Sequence, residues 1–297
     1  MARKKRVPVI LFLLMSVTGT GIMLYPTVSD RINSRRQTRA IAAYQTEVSE
    51  TSDEKIEELL AAAECFNEAL RSLNGRFADS EALKEEYYKT LRLNVSDVIA
   101  YVEIPKINVN LPVFHGSSES VLQAGVGHLE GTTLPIGGAD THAALSAHRG
   151  LPTAKLFTNL DKLEIGDIFT IKILNKTLYY EVDRIDVVLP EQVDLLSIEP
   201  GGDLVTLITC TPYAINTHRL LVRGRRTEDV ELPAEPIPFG APAYDGEKEP
   251  FKLVFESQIL LASAALALVI KIILELRQKR LREVPLLKKT QRRSKLA

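Results

Sequence analysis

The chain has 297 residues, enough for one sizeable domain with attachments or for two small domains. Its 37 Lys and Arg nearly cancel its 38 Asp and Glu, leaving a formal net charge of −1. That balance, with no basic run interleaved with aromatic residues, speaks against a nucleic-acid partner. The charge is unevenly placed, however: both ends are basic and much of the middle is acidic.

At the start, Arg3–Arg6 (RKKR) precedes an uncharged run, Val7–Tyr25. A bilayer-spanning helix needs roughly 17–25 residues, so this run is read as a first transmembrane helix. A cleaved signal peptide is the alternative; no A-x-A-type site follows, which favours an uncleaved anchor. The mixed charges of Arg31–Arg39 are then expected at the outer membrane surface. Thr51-Ser-Asp-Glu54 reads as a capping box. The helix it opens carries Ile56, Leu59, Leu60, Ala63, Phe66, Leu70 and Leu73 on one face, with Cys65 opposite, and Asn74-Gly75 stops it. A second short helix fits Ser80–Leu91. Both are expected to pack on the domain that follows.

From Val98 the period changes. Val98–Ile104, Val109–Val113, Ala143–Ala147, Ile168–Ile173, Leu178–Leu189, Val205–Thr209 and Leu220–Val222 are short runs of strand character separated by Gly, Pro, Asn and Asp clusters. This is the pattern of an all-β sandwich or barrel. Thr153–Leu160 reads as a short helical turn in a connection. Pro233, Pro236, Pro238, Pro242 and Pro250 then make a stiff, extended tether. It leads to a second apolar run, Leu253–Leu274, with Glu256 and Lys271 near its edges. The basic cluster Arg277–Arg282, followed by Lys288, Lys289, Arg292 and Arg293, marks this run as a second span. Positive flanks stay in the cytoplasm, so both termini are expected inside and the middle outside.

Cysteine is the rarest reactive residue in the chain, at Cys65 and Cys210. Cys210 closes a β-branched run, and a turn-rich segment then leads to His218 and Arg219. A nucleophilic thiolate needs a base or a cation beside it. Among His115, His128, His142, His148 and His218, His148 ends an apolar run before a glycine, where a side chain is accessible. His218 is the local competitor. It neighbours Arg219, and adjacent strand residues point to opposite faces, so only one of the two faces Cys210. A hairpin over Thr211–His218 would bring Cys210 and Arg219 together, where a guanidinium can hold an oxyanion with fixed donors. The two strand ends bearing Cys210 and His148 are expected to meet at one barrel mouth. A disulfide between Cys65 and Cys210 would consume that nucleophile and is not expected.

At these residues the chain resembles the sortases, and among them the class C, pilin-polymerising group. The resemblance rests on Thr206-Leu-Ile-Thr209-Cys210-Thr-Pro-Tyr213, on Asn216-Thr-His-Arg219-Leu-Leu-Val-Arg-Gly224, on Ser146-Ala-His148 and on Leu151-Pro-Thr-Ala-Lys-Leu-Phe157. Ile104-Pro-Lys-Ile107 and Gly127-His-Leu-Glu-Gly-Thr132 look like the same family. The resemblance implies a mainly β fold: a closed sortase-type β-barrel of about eight strands, here with N-terminal helices and two transmembrane helices. It implies Cys210 as nucleophile, His148 as general acid and base, Arg219 as substrate and oxyanion stabiliser, and Thr209 and Ser146 in substrate binding. The implied reaction is a cysteine transpeptidation that cleaves an LPxTG-like sorting signal between Thr and Gly. The acyl group then passes to a lysine of another pilin subunit. The implied partners are pilin subunits and the membrane lipid bilayer, and no metal or other cofactor is required.

The layout on this reading is a basic cytoplasmic segment (1–6), a first transmembrane helix (7–25), an extracytoplasmic helical region (26–95), the catalytic barrel (96–230), a Pro-rich linker (231–252), a second transmembrane helix (253–274) and a basic cytoplasmic tail (275–297). Class C enzymes often plug the site with an Asp-Pro-aromatic lid ahead of the barrel. No such tripeptide stands there in this chain; Phe77 occupies the place, as a substitute plug or as a turn residue packed on the barrel. A sortase that anchors surface proteins to peptidoglycan, an inactive membrane-tethered scaffold and a hydrolytic cysteine peptidase are the competing readings.

Overall fold

The computed structural model describes residues 6–73, 77 and 81–228. The linker, the second apolar run, the basic tail, the first basic residues and the helix stop at Asn74-Gly75 lie outside the described residues. The chain divides into two units, Tyr25–Tyr244 and a second made of Met1–Leu24 with Asp245–Ala297. The first of these holds the barrel.

Three helices precede the sheet: α1 (Arg6–Glu50), α2 (Asp53–Arg71) and α3 (Glu81–Lys89). Two transmembrane helices are not supported. Residues 7–25 are the first half of α1, yet among the described residues no helix is long and apolar enough to cross a membrane. The side chains of residues 7–14 and the whole of 253–274 lie outside the described residues. The charged stretch 31–39 continues the same helix. There Asn33 donates to Thr153 O at 2.8 Å, Gln37 donates to Ala124 O at 3.1 Å, and Asp30 accepts from Lys155 N at 2.9 Å.

The cap of α2 is Ser52, one place after the expected Thr51. Its hydroxyl accepts from Lys55 N at 3.3 Å, satisfying one of the free donors of the first turn. The apolar stripe of α2 is buried as its spacing requires, and Asn67 sits within it. Asn67 accepts from Leu134 N at 2.7 Å and donates to Leu134 O at 3.2 Å, so the helix is pinned to a loop backbone that has no strand partner there. Tyr44 does the same for α1: its hydroxyl donates to Ile99 O at 2.9 Å and accepts from Leu174 N at 2.7 Å. Cys65, on the far side of α2, is exposed, and both cysteines are free.

The barrel contains β1 (Val98–Ile104), β2 (Val109–His115), β3 (Val126–His128), β4 (Thr141–Ser146), β5 (Ile168–Ile173), β6 (Lys176–Val188), β7 (Asp203–Thr211) and β8 (His218–Arg226). The order around it is β1-β2-β3-β4-β7-β8-β6-β5, closed on itself. A short helix, α4 (Glu119–Ala124), joins β2 to β3. Most pairs are antiparallel; β2–β3 and β4–β7 are parallel. The stretch Thr153–Leu160, expected as a helical turn, is non-helical turn up to Leu160, where a single 3-10 turn, Leu160–Lys162, begins. One core fills the barrel and continues under α1, α2 and α3. At one point the walls nearly touch: a Cβ on Gly224 would lie 2.4 Å from the Phe169 ring, so the ring packs on bare backbone.

Candidate active site

β7 lies between β4 and β8 in the barrel wall. Side chains alternate along a strand, so its odd residues, Val205 and Leu207, enter the barrel core with Ala143, Leu145, Leu220 and Val222. The even residues form an outward row. Ile208 on that row packs with Ala144 and Leu221 in a separate cluster closed by Leu196, from the 3-10 turn Asp194–Leu196. The next residue back, Thr206, is roofed as well: its hydroxyl lies 2.7 Å from His142 Nε2, whose Nδ1 lies 2.8 Å from Ser197 O. Cys210 is the next even position, and there the cover ends. Ser146, Cys210, Thr211 and Arg219 are all partly buried. The Cys210 thiol therefore faces outward from the wall, near the end of β7, where the roofed row stops.

The strand register sets its neighbours. Cys210 is directly opposite Arg219 across the β7–β8 pair. His218 is opposite Thr211, on the other face. On the β4 side the pairing is parallel and in step, Ser146 with Ile208, and Ala147 N donates to Ile208 O at 3.1 Å. The ladder ends at that pair; extended by two residues past the strand end, its register sets His148 level with Cys210. The Arg219 guanidinium flanks Cys210 across the β7–β8 pair, and the extended β4 register sets the His148 imidazole on the other flank. Thr209 turns inward at 1% exposure, and its hydroxyl donates to Ala147 O at 2.8 Å, bracing the backbone one residue before His148. Ser146 shares the outward row. Phe77 is 36% exposed, and its chain neighbours lie outside the described residues.

The charges around the thiol are held from outside. Arg219 Nη1 donates to Asn216 O at 3.2 Å and to His218 O at 3.1 Å, so loop carbonyls orient the guanidinium. His148 Nε2 faces Glu119 Oε1 of α4 at 3.4 Å, and Gln123 donates to the same oxygen at 2.8 Å. The Gln123 amide, and after it the His148 ring, hold the Glu119 carboxyl below its usual range. A thiol between an imidazole and a fixed guanidinium is an arrangement for nucleophilic acyl transfer: the base activates sulfur and the cation receives developing oxyanion charge. Among the described residues no group of three or more His, Cys, Asp and Glu side chains is arranged to hold a metal ion. A cavity of about 450 Å³, lined by Gly137, Lys176, Asp203 and Arg226, lies at the opposite end of β7 from Cys210.

A sequence model of the Sortase domain matches residues 102–227, a stretch that contains Cys210, His148 and Arg219. The solved structure of sortase C1 from Streptococcus agalactiae is 44% identical, with a TM-score of 0.62, over 65% of this chain and 100% of that one. The chain belongs to the sortase family. The sortase C of Streptococcus pneumoniae, a structure that bears on catalysis and pilin substrate specificity, is 42% identical with a TM-score of 0.57, over 64% of this chain and 96% of that one. These structural neighbours are class C sortases. The sortase A of Streptococcus agalactiae is 33% identical over 131 residues, 43% of this chain and 52% of that relative. The chain spans about half the length of the curated relatives it matches.

Within this sortase site, the sequence reading missed Glu119, Arg149 and Asp161. Arg149 Nη1 donates to Thr211 Oγ1 at 3.2 Å and its Nη2 pairs with Asp161. Glu119 lies 29 positions before His148 on a six-residue helix too short to show a period, so no local signal links the two. Arg149 did carry one: it directly follows the candidate base.

Proposed function

We propose that this sortase is a cysteine transpeptidase that joins pilin subunits through an LPxTG-like sorting signal. The observation that carries the reading is Cys210 directly opposite Arg219 on β8, with the β4 register, extended past Ser146, leading to His148 on the other side. In the first half-reaction Cys210 Sγ attacks the Thr carbonyl of the signal, forming a C–S bond. The Thr–Gly C–N bond breaks, and His148 gives a proton to the departing glycine amine. Arg219 holds the oxyanion of the tetrahedral intermediate. In the second half a lysine amine of another subunit attacks the thioester. The new C–N bond forms, the C–S bond breaks, and His148 takes the proton from the amine while the thiolate is restored. The class C likeness of the structural neighbours supports lysine as acceptor.

The experiment is incubation of the chain with a pilin bearing an LPxTG-like signal, followed by mass spectrometry. The expected results are a thioacyl adduct on Cys210 and an isopeptide-linked ladder. Cys210→Ala should remove both while leaving the fold intact; a fully active Cys210→Ala enzyme would sink the mechanism. Single proteins joined to cell-wall fragments would assign the chain to peptidoglycan anchoring instead, and free Thr-ended product alone would make it a hydrolase. The localisation that goes with this reading is the outer face of the membrane. The basic clusters at both ends, 3–6 and 277–282, support it. Digestion of the barrel by protease added to intact cells tests it; a protected barrel would place it inside.

A further inference from the structure

We infer that Arg149 is a positioning residue that fixes His148 beside Cys210, an inference that rests on the acyl-transfer reading above. The need for such a device is visible in the backbone. β4 ends at Ser146, and its last bonds to β7 are Ala147 N to Ile208 O and Thr209 Oγ1 to Ala147 O. His148 is one residue beyond them, at the start of a loop. Phe157 N donates to His148 O at 3.2 Å, and Gly150 N donates to Thr158 Oγ1 at 3.1 Å, which holds the loop to itself. Arg149 is the side chain that ties it back to the nucleophile's strand. Its Nη1 reaches Thr211 Oγ1, one residue past Cys210, and its Nη2 reaches Asp161 in the 3-10 turn Leu160–Lys162.

The burial of this side chain argues for a purpose. Arg149 is only 9% exposed, and its Nε–H is buried with no acceptor. Sinking a guanidinium this far is unfavourable unless its bonds are worth keeping, and a donor without a partner adds to the cost. The two bonds it makes connect three pieces: the loop carrying His148, the end of the strand carrying Cys210, and the turn at Asp161. The forked, planar group spans Thr211 and Asp161 at once, which a lysine ammonium cannot do in the same geometry. The Tyr213 ring, packed against Gly150, closes the same corner from the Cys210 side, since a Cβ on Gly150 would lie 2.9 Å from it. Proton transfer between His148 and the reacting groups depends steeply on separation, and a misplacement of about 1 Å costs on the order of a hundredfold in rate.

The test uses the full chain with an LPxTG-like peptide and an amine acceptor, with rates expressed per titratable Cys210 thiol so that misfolded enzyme does not count. Arg149→Met is expected to lower kcat by about tenfold or more with KM changed by less than about threefold. Arg149→Lys, which keeps the charge for Asp161 but not the fork, is expected to recover only part of that loss. Thr211→Val removes a single bond, leaves the charge in place, and is expected to lower kcat about threefold to tenfold. The imidazole ring of His148, assigned in NMR spectra by its loss in His148→Gln, is expected to give one sharp signal set in the parent chain and shifted or multiple signals in Thr211→Val and Arg149→Lys. Wild-type kcat together with an unchanged His148 ring signal in those two variants would overturn the inference. A parent chain with no turnover would instead refute the acyl-transfer reading, and the ring signals alone would then decide whether Arg149 positions His148.

Discussion

His148 and His218 both stand near Cys210, one by tertiary pairing and one by sequence, and the strand register separates their prospects. His218 is paired with Thr211, so its ring points to the face opposite Cys210 and takes up Thr217 Oγ1 at 2.9 Å. His148 lies two residues past the last β4–β7 pair, Ser146 with Ile208, and extending that register by two brings it level with Cys210. His148→Gln is therefore expected to lower kcat/KM by about 10²–10⁴, the range a positioned general acid and base contributes. His218→Gln is expected to change it by less than about threefold. Steady-state kinetics on one peptide substrate measures both, and equal losses would mean that the base has been assigned to the wrong histidine. The choice of Arg219 over His218 is legible from alternation in a two-strand hairpin. The outward orientation of Cys210 is not, because β7 is buried on both faces from Leu204 to Thr209, and its apolar pattern does not distinguish core from roof.

At the scale of elements, what the sequence showed depended on how far each pattern ran. Seven of the eight strands stand out as runs of strand character between turn clusters, whereas β3 is three residues with Gly127 at its centre and has no alternation to read. The second half of α1 has a buried helical stripe, Gln37, Ile41 and Tyr44 with Val48 beside it. Gln37 and the neighbouring Arg35, Arg36 and Arg39 dilute it, so the segment reads as a charged surface. The polar anchors of the helices were not legible at all, since nothing in a sequence says which loop amide lacks a strand partner. Asn67 is the clearest of them. It is 3% exposed and serves both backbone groups of the fully buried Leu134. Asn67→Ala would strand the buried Leu134 N–H, at about 1–3 kcal/mol before relaxation, while Leu134 O keeps its bond from Ile136 N at 2.9 Å. A loss of about 1–3 kcal/mol in urea unfolding is expected, with kcat per titrated Cys210 unchanged. A variant as stable as the parent would show that water replaces the amide.

For the molecule as a whole, acid sensitivity follows from two histidines that join the helices to the barrel. His128 is fully buried; its Nδ1 accepts from the Tyr87 hydroxyl of α3 at 2.8 Å, and its Nε2–H donates to Thr133 O at 2.8 Å. His115 packs edge-on against Tyr87, with ring centroids 4.7 Å apart, and its Nε2 is buried without a partner. Burial, the largest cause in each case, pushes both imidazoles down to about 4, against the Thr133 and Thr90 carbonyls that work the other way; Arg92 lowers His115 further and Asp97 raises it. Between about pH 6.5 and pH 4 the unfolded chain thus binds protons at these positions that the folded chain refuses. Stability is then full above the unfolded value and falls as pH is lowered through this window. For His128 alone the shift corresponds to about 3 kcal/mol by pH 4. Carboxylates held below their usual range, Glu85, Glu119 and Glu199, also lose stabilisation on acidification, but only once pH falls below about 4.5. Unfolding in urea at steps from pH 7.5 to pH 5 therefore isolates the histidines. The expected result is a stability that declines across those steps, and a His128→Gln variant, less stable at pH 7.5, whose decline is shallower by about one proton's worth of slope. A parent chain equally stable at pH 5 and pH 7.5 would mean that the Tyr87–His128–His115 junction takes up protons while folded, and that α3 stays docked with both rings charged.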